Sequence, residues 1–171
     1  MTEILWLGRG GQGAFTAAKL LGAAFASKGE GACSLAFPSF GPERRGAPVR
    51  AFTKLDTSPI LDRSETERAD YMILLDETLY TPALQGLLKE GGKILVNTRK
   101  AQAGIIPFDA DSIAKELRLP VVNTILLGAL AGISDVVTTD DIAFAIDHYM
   151  PARIREKNKQ AVTLAAKEAA Q

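Results

Sequence analysis

Residues 8–13 read Gly8-Arg9-Gly10-Gly11-Gln12-Gly13, placing four glycines in six positions between the apolar run Ile4-Leu5-Trp6-Leu7 and a helix-patterned stretch beginning near Ala14. Glycine lets a backbone turn sharply out of a strand and aim its amide N–H groups, with the positive end of a helix, at an anion or a partner. Ala17, Ala18, Leu20, Leu21, Ala24 and Phe25 give that helix an apolar face, and Lys28-Gly29 ends it. An extended run through Cys33 to Phe37 follows, so the chain opens as strand, glycine turn, helix and strand. Gly22 and the alanines let the helix lie close on a sheet.

The segment Pro38-Ser39-Phe40-Gly41-Pro42-Glu43-Arg44-Arg45-Gly46-Ala47-Pro48 carries three prolines and two glycines and reads as a long loop. Val49–Lys54 and Tyr71–Leu75 read as strands, and residues 77–90 as a helix with Pro82 near its first turn. Gly91-Gly92 then returns the chain to a strand over Lys93–Asn97, with another short one at Ile105–Phe108. Asp109 is placed to cap a helix over Ala110–Leu117, and an extended piece at Pro120–Asn123 precedes Thr124–Ala131. Thr139-Asp140-Asp141 caps the next helix, and Pro151–Ala170 makes an amphipathic tail helix. This alternation predicts an α/β fold in one domain, residues 1–171: an open, mostly parallel sheet with helices on both faces and a Rossmann-like start. The crevice rule for such sheets puts the site at the carboxyl ends of the strands, where the glycine loop, the Pro38–Pro48 loop, Asp76-Glu77 and Asn97-Thr98 converge.

Composition removes several function classes. Lys plus Arg and Asp plus Glu both number 20, so no global field draws the chain to nucleic acid or an anionic membrane. No apolar run reaches the ~18 residues of a membrane span, and no secretory leader is evident, which predicts a cytoplasmic protein. Cys33 is the only cysteine and His148 the only histidine, which excludes an internal disulfide, a Cys/His zinc site and a cysteine-ligated cluster held by this chain alone. Cys33 reads as a buried, inert strand residue, and His148 as a helix-end residue complementing free carbonyls.

Gly8, Gly10 and Gly13 satisfy G-x-G-x-x-G between a strand and a helix, the context of a dinucleotide site. Such a site also wants an acidic residue ending the second strand, and this one ends at Phe37-Pro38-Ser39. No P-loop is present, since nothing basic follows Gly13 until Lys19. Arg9 and Gln12 could hold a carboxylate or phosphate or sit in a solvated turn; Glu43, Arg44 and Arg45 could recognise an anion, dock on another chain or be solvated. No catalytic triad can be assembled around the single histidine.

Taken in order, Gly8-Arg9-Gly10-Gly11-Gln12-Gly13, Phe37 through Phe52, Asp76-Glu77-Thr78-Leu79, Val96-Asn97-Thr98 and Asn123-Thr124-Ile125-Leu126-Leu127-Gly128-Ala129 resemble the gamma subunit of 2-oxoacid:ferredoxin (acceptor) oxidoreductases over almost the whole chain. The resemblance implies an anaerobic-type complex that decarboxylates a 2-oxoacid, pyruvate first, on thiamine diphosphate, passes electrons through iron–sulfur clusters to ferredoxin, and gives the acyl group to coenzyme A. It implies that thiamine diphosphate and the clusters sit on alpha, beta and delta-type partners, that this chain alone carries no catalytic residue, cofactor or metal, and that it is inactive in isolation. It also implies a docking role and a possible contribution to the coenzyme A channel through Gly8, Arg9, Gly10, Gly11, Gln12, Gly13, Ser39, Glu43, Arg44, Arg45 and Asn123. The alternative from another class is a free-standing Rossmann-like nucleotide-binding module or dehydrogenase using the glycine loop itself.

Overall fold

A computed structural model describes residues 1–39 and 45–171. Six strands, β1 (Thr2–Arg9), β2 (Cys33–Pro38), β3 (Pro48–Asp56), β4 (Ala69–Leu74), β5 (Leu88–Asn97) and β6 (Ile106–Phe108), form one sheet in the order β2-β3-β1-β4-β5-β6. β1, β4, β5 and β6 run parallel, whereas β3 is antiparallel to both β1 and β2. The expected open, mostly parallel α/β sheet is therefore present.

Alternation along the strands divides the core in two. Ile4 and Trp6 of β1 and Ile73 of β4 face α1 (Ala14–Ala26), α2 (Ala110–Leu117), α3 (Asn123–Ile133), α4 (Thr139–Tyr149) and α5 (Ala152–Ala169), and that layer contains most of the buried apolar side chains. Leu5, Leu7, Met72, Leu74, Ile94 and Val96 face the other way. The flanking helices are thus unequally shared: the α-helices cover one face, and two 3₁₀ segments, Glu77–Leu79 and Pro82–Leu87, cover the other through Leu79, Tyr80 and Leu84. On this second face Lys54 is fully buried and donates to Asp62 Oδ2 at 2.7 Å, with Glu3 Oε1 at 3.5 Å. Glu3 in turn pairs with Lys89, which also holds Asp70.

The helix expected over residues 77–90 is the main correction. Asp76 caps only a short 3₁₀ turn, Tyr80 is already extended, and the second 3₁₀ segment ends where β5 begins at Leu88. Gly91-Gly92 does not stop a helix but kinks β5: Gly91 is left-handed, and a Cβ on Gly92 would lie 3.0 Å from the Ala69 carbonyl oxygen. Cys33, expected buried, is half-exposed at the start of the outer strand β2. Pro120–Asn123 adds no strand. Asp109 caps α2 as expected, accepting from the Ser112 amide, and Thr138 with Asp141 forms the capping box of α4. His148 lies in the last turn of α4, its Nδ1 2.8 Å from the Phe144 carbonyl oxygen.

Candidate functional site

Parallel β1, β4 and β5 end together, and antiparallel β3 begins beside them, with Arg9 opposite Pro48 and Gly8 opposite Val49. The loops bearing the sequence motifs therefore meet at one sheet edge. Arg9 ties three of them together: its Nη1 donates to the Gly46 carbonyl at 3.1 Å, its Nη2 to Thr78 Oγ1 at 2.7 Å, and its Nε lies 3.3 Å from Asp76 Oδ2. Gln12 closes the glycine turn by accepting from the Arg9 amide at 2.7 Å and donating to Asp76 Oδ2 at 3.2 Å. The Gly10 amide donates to the Ala47 carbonyl, and the Gly46 amide to the Gly10 carbonyl, so the glycine loop and the end of the β2–β3 loop are zipped backbone to backbone. Gly11 and Gly13 both have positive φ, which accounts for glycine at those two positions.

Asp76 is the anionic centre of this knot. Burial raises the cost of its charge, but hydrogen bonds from the Thr78 hydroxyl and amide and from Gln12, together with the Arg9 guanidinium, outweigh it and hold the carboxyl below its ordinary value. Hydrogen bonding to Thr98, then to Lys100, likewise lowers Glu77. Beside the knot is a cleft of about 510 Å³. Its lining includes Asn97 and Thr98, both buried, and Arg99 and Lys100 at its rim. Asn97 donates to the Leu75 carbonyl and to Asp111 and accepts from the Ala110 amide, so it joins β4, β5 and α2.

The predicted site residues are placed as follows. Gly8, Arg9, Gly10, Gly11, Gln12, Gly13, Arg45 and Asn123 come together at the edge. Arg45 is exposed and bridges Gly10, and Asn123, at the start of α3, sends its Nδ2 to the Gly13 carbonyl at 3.3 Å. Ser39 belongs to the same loop but turns away, its hydroxyl donating to Glu65 at 2.6 Å. Glu43 and Arg44 lie outside the described residues. The sequence predicts the tail helix but not the position of its first turns at this edge. Thr124 at the start of α3 bonds Asn158, and Gly128 and Gly132 meet Val162 and Ala166, so α3 and α5 run parallel. α5 begins at Ala152, six residues before Asn158, and so rises about 9 Å above the start of α3, carrying exposed Arg153 and Lys157 past the same edge. The i, i+4 spacing of these two basic residues was the available signal.

The crevice differs from that of a dinucleotide fold in two ways. β3 is interposed between β1 and β2, setting them two strand spacings apart, about 9–10 Å, so the strand that follows α1 is not a neighbour of β1; the parallel neighbour is β4, and the Asp76 that follows it is already held by Arg9, Gln12 and Thr78. The space at the head of α1 is closed by Asn123: a Cβ on Gly13 would lie 2.5 Å from its Nδ2. Among the described residues no group of three or more His, Cys, Asp and Glu could hold a metal ion, and no helix is long and apolar enough to cross a membrane.

Comparison with known proteins agrees over nearly the full length. The family of pyruvate ferredoxin/flavodoxin oxidoreductases matches residues 3–168. The pyruvate synthase subunit PorC of Methanothermobacter thermautotrophicus is 43% identical over 174 residues, spanning 98% of this chain and 96% of that protein. The pyruvate/ketoisovalerate oxidoreductases common subunit gamma of Thermococcus kodakarensis is 40% identical, spanning 94% of this chain and 93% of that one. The crystal structure of the pyruvate oxidoreductase subunit PORC of Thermotoga maritima superposes with a TM-score of 0.81 at 34% identity, covering 97% of this chain and 95% of that one.

Proposed function

This chain belongs to the pyruvate ferredoxin/flavodoxin oxidoreductase family as a gamma-type subunit, and from that premise we propose that its carboxyl-end loops form the surface on which alpha, beta and delta-type partners dock. The observation that carries the reading is the Arg9 knot. The motif-bearing loops are bonded to one another into a single presented surface, and the head of α1, where a pyrophosphate would sit, is taken by the Asn123 side chain. On this reading the partners hold thiamine diphosphate and the iron–sulfur clusters. The complex converts a 2-oxoacid, pyruvate first, to acyl-CoA and carbon dioxide with reduction of ferredoxin in the cytoplasm of an anaerobically growing cell. Residues 1–171 act as one domain within it.

The surface also suits coenzyme A, whose pyrophosphate and 3′-phosphate match the guanidinium group of Arg45, with Arg153 and Lys157 above the same edge; Arg44, next to it in sequence, offers the same chemistry. Arg9 serves first to hold the loops, with three of its five N–H groups turned to Gly46, Thr78 and Asp76. The free-standing nucleotide-binding alternative loses its support with the interposed β3 and the closed head of α1. Substituting Arg44→Ala and Arg45→Ala in the intact complex tests the assignment. A raised Michaelis constant for coenzyme A with assembly retained places the anion at this edge, and loss of assembly makes the pair a docking contact. Unchanged assembly and kinetics overturn both roles.

A further inference from the structure

β2 is an outer strand, and its phase is fixed by the Ser39 amide, which donates to the Arg50 carbonyl at 2.9 Å. In an antiparallel ladder alternate residues turn both backbone groups to the same side. Cys33, Leu35 and Phe37 therefore bond toward β3, while Ser34, Ala36 and Pro38 face outward. Pro38, with no N–H to offer, occupies an outward position where it breaks no ladder bond. The outward N–H groups of Ser34 and Ala36 have no acceptor among the described residues. β2 itself, Cys33–Pro38, carries no charged side chain, the usual device against unwanted pairing.

Along the same edge runs a groove of about 400 Å³ between β2 and α1, closed at one end by Tyr149 and Met150 of the α4 terminus. Ser34 and Ala36 form its floor beside Gly22, where a Cβ would meet Ser34 Oγ at 3.3 Å. Leu20, Ala23 and Ala26 line it, and among the described residues its one charged lining residue is Lys19. Tyr149 is 70% exposed.

We propose that an extended segment of another subunit of the complex pairs with β2 as an added strand, inserting bulky apolar side chains at alternate positions into this groove and placing a carboxylate near Lys19. The inference rests on the subunit reading above. An added strand gains backbone hydrogen bonds from the edge and specificity from every second side chain. A second copy of this chain fits less well. Antiparallel pairing through β2 would place its Ser34, Ala36 and Pro38 on the groove side, and these are too small to fill the space.

The test compares amide hydrogen exchange at residues 33–38 in the isolated chain and in the anaerobically purified complex. The Ser34 and Ala36 amides are expected to slow by about 100-fold or more on assembly. Ala36→Pro, which deletes an outward donor, and Lys19→Glu are each expected to lower incorporation about tenfold. The circular dichroism and melting temperature of each isolated variant establish that it is folded, and Lys19→Glu decides if Ala36→Pro is not. Equal exchange in both states from a chain that is incorporated overturns the added strand alone. So does an isolated chain that is dimeric and already protected at β2. A chain that enters no complex overturns the subunit reading and this inference with it.

Discussion

The Asn123 side chain is seated against Gly13: its Nδ2 donates to the Gly13 carbonyl at 3.3 Å, and a Cβ at position 13 would lie 2.5 Å from that nitrogen. Two elements far apart in sequence are thereby locked at the head of α1. Gly13→Ala imposes both left-handed strain at φ 82° and this collision, and is expected to lower stability by about 1–3 kcal/mol. Adding Asn123→Ala removes the collision but not the strain. In thermal melts the double variant should therefore be less destabilised than the sum of the two singles; simple additivity would mean the contact is not what the glycine protects.

Parallel packing of α3 on α5 depends on two further glycines. Built Cβ atoms on Gly128 and Gly132 would approach the Val162 and Ala166 carbonyl oxygens to 2.5 and 2.3 Å, so either change to Ala must push the helices apart. We expect each to cost about 3 kcal/mol or more in urea unfolding. Gly86→Ala, with nothing within 4 Å of the added carbon, should stay within about 0.5 kcal/mol of the parent. Similar losses at Gly86 and Gly128 would contradict the close approach.

Asp76 gives the loop edge a pH dependence. Burial disfavours its charge, but the Thr78, Gln12 and Arg9 contacts win, so its folded pKa lies below the unfolded value of about 3.9. A group depressed on folding contributes stability that is fully present above the unfolded pKa and is lost as pH falls through the folded one. The stability difference between the parent and Asp76→Asn should therefore be constant above about pH 5 and shrink on acidification below about pH 4. A difference that grows on acidification would reverse the sign and the assignment.

Lys54 is buried and pairs with half-exposed Asp62 and, at longer range, with Glu3, and the two ends of the Lys54–Asp62 pair should respond differently to substitution. Lys54→Met removes the buried charge and leaves Asp62 half-exposed and Glu3 still paired with Lys89, whereas Asp62→Ala leaves the buried ammonium only the longer contact to Glu3 at 3.5 Å. Melting temperatures should therefore fall further for Asp62→Ala than for Lys54→Met. The reverse order would show that the lysine is stabilising in its own right.

Strands with strong apolar runs, the glycine turn, α1 and the capped helices α2 and α4 were legible in the sequence because each is specified by local chemistry. Residues 77–90 were not. Leu79, Tyr80, Leu84 and Leu88 recur at helix-like spacing, yet they pack on the second face of the sheet from 3₁₀ turns and a strand start, a tertiary choice that periodicity does not encode. The insertion of β3 between β1 and β2 was equally hidden, since a strand's direction leaves no mark on its composition. At the edge, Gly13 and Asn123 were both singled out, but their contact spans 110 positions and belongs to the fold alone. In sequence Arg9 reads as a donor to an anion or as part of a solvated turn; the folded edge adds its contacts with Asp76, Thr78 and Gly46.

The most direct measurement is anaerobic purification of the tagged chain from its native cell, followed by 2-oxoacid- and coenzyme A-dependent dye reduction across pyruvate, 2-oxoglutarate, branched-chain oxoacids and indolepyruvate. The account predicts that the chain brings down partner subunits with iron and thiamine diphosphate, and that the assembly reduces the dye, fastest with pyruvate. A lone, colourless and inactive chain, recovered from cells shown to contain the active enzyme, would contradict it.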